Sequence, residues 1–170
     1  MITPELMQAI LKDYALPLRG THGVSHWARV LENGRRLAGS SGASLAVVSL
    51  FAVFHDSRRV NEGWDHQHGL RGAQYAATLR GKLFDLTDAE FDDLYHACAQ
   101  HTDGKTQANL NLQVCWDADR LDLYRVGTLP KTARLCTPAA RDAAVLDWAN
   151  QRASQRLVPD LVLAEWGVAY

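Results

Sequence analysis

The chain has 170 residues, 47% apolar and 22% charged, a composition that suits one folded globular domain and excludes a disordered tail. Eighteen lysines and arginines against nineteen acids leave a net charge of −1, and no block of like charge occurs, which argues against a basic nucleic-acid face and against a polybasic membrane patch. The longest apolar run, Leu45 to Phe54, is about half of the roughly 20 residues that a membrane-spanning helix needs.

Apolar spacing of three and four predicts helices over 4–15, 23–39, 44–55, 69–83, 87–101, 112–126 and 138–157, and no comparable run alternates as a strand would. The first twenty residues lack a basic n-region, and Lys12 and Asp13 interrupt their apolar stretch, so they do not read as a signal peptide and the expected location is cytoplasmic. Thr3-Pro4 and Thr137-Pro138 offer N-caps followed by proline, and Thr87 to Glu90 a capping box. Gly20, Gly42 and Gly104 mark breaks.

The segment Leu45 to Phe54 is apolar on nearly every face, which makes it the expected central helix of an all-α, compact, single-domain bundle. Cys98, Cys115 and Cys136 form no C-x-x-C pair and read as buried thiols of a reducing compartment. The predicted helix at 138–157 shows an apolar face through Ala144, Val145 and Trp148. Both completion of the core and a dimer contact are open for it.

Three predicted helices place a potential metal ligand on an inward stripe. Leu45, Val48 and Ala52 lead at the next position on their face to His55, and Phe91, Leu94 and Cys98 lead with identical spacing to His101. Trp116, Asp119, Leu123 and Val126 set a carboxylate among large apolar neighbours, where it must be paired, hydrogen-bonded or metal-bound. His96 lies about 140° round the helix from His101, which assigns it to the surface. The pair His55-Asp56 carries little alone, since about 0.6 such dipeptides are expected by chance at this composition.

The ordered set is more specific. His26 in THGVSHWARV, His55-Asp56 in LFAVFHDSRR and Asp119 in CWDADRLDL resemble the H…HD…D signature of HD-domain metal-dependent phosphohydrolases. His68 in H-G-L-R-G-A and His101 in H-T-D-G resemble the histidines that hold a second metal in some of these proteins. The resemblance spans about 22–126, leaving 127–170 as a C-terminal helical extension of a single HD domain over 1–170. The paired histidines and GYP signature of the cyclic-di-GMP-hydrolysing subgroup are missing, and Ser57-Arg58-Arg59 replaces the Glu-Asp pair of the alarmone hydrolases, so neither substrate carries over.

The resemblance implies that His26, His55, Asp56 and Asp119 hold one metal, and that Asp56 bridges to a second held by His68 and His101. Imidazole and carboxylate without thiolate suit borderline first-row metals, Mn or Fe first, then Co, Ni or Zn. The implied activity is cleavage of a phosphoester of a small phosphorylated metabolite, a nucleotide by family habit, by metal-activated hydroxide. The rivals are a mixed-valent diiron oxygenase and a non-catalytic nucleotide- or metal-binding module.

Arg58, Arg59 and Lys105 are the basic residues nearest in sequence to the implied ligands and the first candidates for phosphate, with Arg71 and Arg120 as alternates. An ion pair of Arg120 with Asp117 or Asp122 is the favoured reading of that arginine. His22 is a candidate leaving-group acid or a simple helix-start group. His66 competes with His68, which is preferred because Gly72 leaves room beside the imidazole. Asp117 and Asp122 compete with Asp119, and Asp65 is read as a cap or as a residue that orients a histidine. Trp64, in the loop after the HD pair, is a minor candidate for covering a nucleobase.

Overall fold

The structure, a computed structural model, describes residues 2–169. Its helices are α1 (Pro4–Lys12), α2 (Val24–Ser41), α3 (Leu45–Phe54), α4 (His68–Leu79), α5 (Asp88–Gln100), α6 (Leu110–Arg120), α7 (Ala143–Ser154) and α8 (Leu161–Ala164), with 3-10 turns at Leu123–Val126, Thr132–Arg134 and Ala139–Arg141. The described residues form no β-strand beyond an isolated bridge between Arg80 and Phe84, and no helix among them is long and apolar enough to cross a membrane. The fold is all-α.

The caps act where the residue types place them. Thr3 accepts from the Leu6 amide ahead of Pro4, Ser44 caps α3, and Thr87 and Glu90 close a reciprocal capping box on α5. α2 ends at Gly42, whose φ of +81° is the left-handed conformation that glycine adopts without a Cβ penalty. α3 is central, packed against α1, α2, α4, α5 and α6, although Leu45 at its start is 55% exposed and enclosure begins at Val47.

Three predicted helices need correction. Asn109 caps the Leu112 amide, so α6 begins at Leu110, and it stops at Arg120. The 3-10 turn that follows breaks the expected stripe, leaving Val126 half exposed. At the C-terminal end Asp142, not Thr137, caps α7. Thr137 instead heads a 3-10 turn, accepting from the Ala140 amide and donating to Asp117. α4 ends at Leu79 because Gly81, at φ +74°, reverses the chain.

The segment 127–169 completes the core. Ala149, Ala153, Leu161, Val162, Trp166 and Val168 are buried, whereas Ala144 on the expected apolar face is exposed. Arg36 and Arg152 lie over the Trp148 ring at 4.7 and 4.6 Å, Arg152 pairs with Glu32 of α2, and Arg35 pairs with Glu165 at 2.7 Å. Cys98 and Cys115 are buried, but Cys136 is half-buried beside Arg120, against the expectation for all three thiols.

Gly72 brings α4 against the end of α3, where an added Cβ would strike the Phe54 carbonyl oxygen, whereas Gly39 on the outer face of α2 has open space. Gly72→Ala is expected to destabilise by about 1–3 kcal/mol through overpacking. Gly39→Ala should stabilise by about 0.5–1 kcal/mol through helix propensity. Urea unfolding of the two variants beside the parent measures both signs.

Candidate metal centre

Helix termini deliver the ligand-type side chains. His26 lies in the first turn of α2, His55 is the C-cap of α3 with Asp56 next, His68 opens α4, His101 is the C-cap of α5, and Asp119 stands one residue from the end of α6. All four histidines and Asp56 are at most 5% exposed. The Asp119 side chain is 17% exposed and is the open edge of the cluster.

Asp56 divides the group. Its Oδ2 lies 3.5 Å from His26 Nε2 and 3.7 Å from His55 Nε2, and Asp119 Oδ1 faces the same two nitrogens at 3.4 and 3.8 Å. Its Oδ1 lies 3.1 Å from His68 Nε2 and 3.8 Å from His101 Nε2. Two groups, His26–His55–Asp56 and Asp56–His68–His101, each have ligand atoms close enough to hold a metal ion.

Whether the donor set fits a metal depends on where each imidazole holds its proton. His26 Nδ1 faces Asp122 Oδ2 at 2.7 Å, His55 Nδ1 the carbonyls of Phe51 and Ala52 at 3.1 Å, His68 Nδ1 the Asp65 carbonyl at 2.5 Å, and His101 Nδ1 the Cys98 carbonyl at 2.7 Å. Every partner is an acceptor, so each Nδ1 carries a proton, and in that tautomer Nε2 is the nitrogen left to ligate. Arg59 Nη1, a donor 3.0 Å from His68 Nε2, agrees with that tautomer.

The bare nitrogens then converge. His26 and His55 Nε2 are 3.2 Å apart, and His68 and His101 Nε2 are 2.9 Å apart. Lone pairs so placed repel one another unless a cation lies between them, so the residues fit a divalent metal. Burial lowers the pKa of His55 to about 3 and also lowers that of His101. Burial opposes ionisation of Asp56 and Asp119, but the surrounding imidazoles outweigh it, holding Asp56 well below the usual carboxylate range and Asp119 at about 2. Neutral imidazoles and ionised carboxylates are the states that ligate metal.

The other candidates are placed as follows. Arg59 is buried, donating from Nη1 to Asp56 Oδ1 at 3.2 Å and from Nη2 to the Gly63 carbonyl. Arg58 is not brought to the cluster; it donates to the Ile10 carbonyl and lies 3.5 Å over the Tyr75 ring. Lys105 is exposed and pairs with Asp103 and Gln100 on the loop after α5. Arg71 pairs with Asp65. Arg120 pairs with neither Asp117 nor Asp122 but donates to the Arg134 and Lys105 carbonyls, while Asp117 accepts from the Cys136 and Thr137 amides.

His66 is exposed beside Trp64, and His68 stands in the cluster. The expected reason for preferring His68 needs correction, because Gly72 packs on the Phe54 carbonyl and it is Gly69 whose missing Cβ makes room for His101. His22 precedes α2, with its Nδ1 2.5 Å from Glu62 Oε2 and its ring edge-on to His26 at 6.2 Å between centroids. Asp65 orients His68 through its carbonyl, while its carboxylate takes the Val60 amide and Arg71.

Asp122, a candidate ligand by its place in the sequence, stands instead behind His26, where Arg29 holds it from Nε at 2.7 Å and Nη2 at 2.9 Å. The spacing of Asp119 and Asp122 across the end of α6 was the available signal. Asp122→Asn is expected to weaken metal binding about 10–100-fold, as loss of a partner behind a ligand does, measured by competition with a chelating dye.

A second expectation concerns pH. The buried His55 takes its proton near pH 3 in the fold but near 6.5 when unfolded, so between those values the unfolded chain binds more protons and stability falls with falling pH. Asp119 adds to the loss below about 3.8. Chelator-treated protein should lose a few kcal/mol between pH 7 and pH 4, and urea midpoints across that range measure it. A flat profile would contradict the assigned protonation states.

No family model matches the chain, and no curated protein matches it. A solved crystal structure described as a predicted HD superfamily hydrolase, from an uncultured Thermotogales bacterium, is similar to it over 96% of this chain and 91% of its own, with a TM-score of 0.63 and 28% sequence identity. The chain has the HD-domain fold, with a buried histidine and aspartate cluster that could hold a divalent metal.

Proposed function

We propose that this chain is a metal-dependent phosphohydrolase acting on a small phosphorylated metabolite, most simply a nucleotide. The observation that carries the reading is the convergence of four bare Nε2 atoms on both oxygens of Asp56. Similarity to a structure described as a predicted HD superfamily hydrolase supports the reaction class.

His26, His55, Asp56 and Asp119 would hold one ion, and Asp56, His68 and His101 a second, with Mn or Fe suiting the imidazole and carboxylate set. Such ions supply Lewis acidity, lowering the pKa of water and neutralising phosphoryl charge. Cys98 has no part in this, because burial raises its pKa and keeps it a neutral thiol.

The chain's own groups do the positioning. A cavity of about 350 Å³ lined by Arg59, Trp64, His66, His68 and Thr102 opens beside the second triad, within the ~300–1,000 Å³ usual for small-metabolite sites. Arg59, already turned toward Asp56, would carry phosphoryl charge from the buried end. Trp64, 82% exposed at the mouth, offers a flat face to a base. His22, its Nδ1 held by Glu62, would move a proton at Nε2 to the leaving oxygen.

Metal content after expression with Mn and Fe is expected at two equivalents per chain, falling to about one in His101→Ala and His68→Ala and unchanged in His66→Ala. Asp56→Ala should lose at least a thousandfold in turnover of nucleoside monophosphates while keeping its far-UV helicity. Absence of metal, or full metal with no turnover on a phosphoester panel, would overturn the reading. Oxygen consumption in place of phosphate release would transfer the site to oxidative chemistry.

A further inference from the structure

A second polar cavity, of about 110 Å³, lies at the N-terminal end of α2 and is lined by Arg19, Thr21, Ser25, Arg29, Arg125 and Arg156. It is too small for a whole metabolite, for which about 300 Å³ is the lower bound. Its charge is lopsided, with four arginines and no acid among the lining residues. Asp122 answers Arg29 at 2.7 Å and Arg125 at 3.8 Å. Glu62, which reaches Gly20 at the rim, is taken up by the amide and imidazole of His22.

Two further observations point to a ligand. Ser25 is 6% exposed and lines the cavity, and no hydrogen bond ties its hydroxyl to another described residue. α2 has no side-chain cap and no acid in its first turn, so the positive end of an 18-residue helix is left for an anion. The Arg156 guanidinium also makes no ion pair or hydrogen bond among the described residues. Arg29 and Arg125 are anchored by Asp122 and by the carbonyls of Leu157 and Thr21, and so are fixed before any ligand arrives.

We propose that this arginine pocket is a binding site for a phosphate-sized oxyanion, taken as free inorganic phosphate or as a phosphoryl group of a larger molecule. The anion accepts from the Ser25 hydroxyl and from the fork donors of Arg29, Arg125 and Arg156, and it answers the Arg156 charge. It shares Arg29 and Arg125 with Asp122 and therefore sits one carboxylate away from His26. Nothing in this site requires the metal cluster to be hydrolytic.

The test is titration of inorganic phosphate into the metal-loaded full chain, followed by calorimetry and by phosphorus NMR. The backbone of Arg156 has a φ of +48°, a conformation that asparagine tolerates, so Arg156→Asn removes the charge without disturbing the turn. This variant is expected to weaken phosphate binding at least tenfold and Ser25→Ala at least threefold. Lys82→Gln, which removes one distant positive charge, should stay within twofold.

The phosphonate analogue of adenosine monophosphate, which has carbon in place of the ester oxygen and cannot be hydrolysed, distinguishes the sources. Binding at least tenfold tighter than phosphate, with the advantage lost in Arg156→Asn, assigns the pocket to the phosphoryl group of a larger molecule, and equal or weaker binding assigns it to the free anion. An isotherm unchanged in both Arg156→Asn and Ser25→Ala overturns the site, whether phosphate fails to bind or binds at the metal cluster instead.

Discussion

The rest of the centre depends on where four imidazole protons are held. Each ring gives its Nδ1 proton to an oxygen that can only accept: Asp122 for His26, and backbone carbonyls for His55, His68 and His101. That choice leaves every Nε2 as a lone pair and points the lone pairs at one another across the two oxygens of Asp56. A ring turned the other way would place a proton where a cation would otherwise fit. The tautomer, more than the mere presence of histidines, makes the cluster one that could hold a metal ion.

The backbone supplies most of those acceptors because the histidines stand at helix ends. The last carbonyls of a helix have no amide to bond and must find another donor. His55 and His101 occupy the C-caps of α3 and α5 and return their Nδ1 protons to carbonyls three or four residues back. His68 does the same in the turn that opens α4. At Ala52 and Cys98 one bond thereby serves a helix-end carbonyl and orients an imidazole, while the Phe51 and Asp65 carbonyls also accept a backbone amide. The missing Cβ of Gly69 lets α4 and α5 approach closely, since one there would strike the Cys98 carbonyl and the His101 ring.

Much of this was legible in the sequence. The inward stripes ending in His55 and His101, the capped starts of α1 and α5 and the enclosure of α3 are periodic and local, and periodicity reports them directly. What escaped depended on helix ends and on contacts between distant segments. The stop of α6 at Arg120 turned Val126 outward and swung Asp122 behind His26. Arg58 and Arg59 are adjacent in sequence, yet the turn after α3 sends one to the Tyr75 ring and the other to Asp56. The partnership of His22 with Glu62, forty residues apart, left no trace in local spacing.

The Arg29–Asp122 pair raises the question of why two charges are buried at all. Both side chains are at most 3% exposed and meet through two hydrogen bonds. Removing such a pair from water is costly, and an apolar replacement of similar volume is often neutral or better by about 1–4 kcal/mol. Stability is therefore a weak reason for the pair. Position is a better one, because Asp122 must stay ionised and immobile to keep the His26 proton on Nδ1, and burial alone would push it toward the neutral acid. The His26 imidazole and Arg29 together counter that tendency, and Arg29 ties the carboxylate to the Leu157 carbonyl. The C-terminal segment, which carries no ligand, thus fixes the side of the imidazole that faces away from the metal-binding groups.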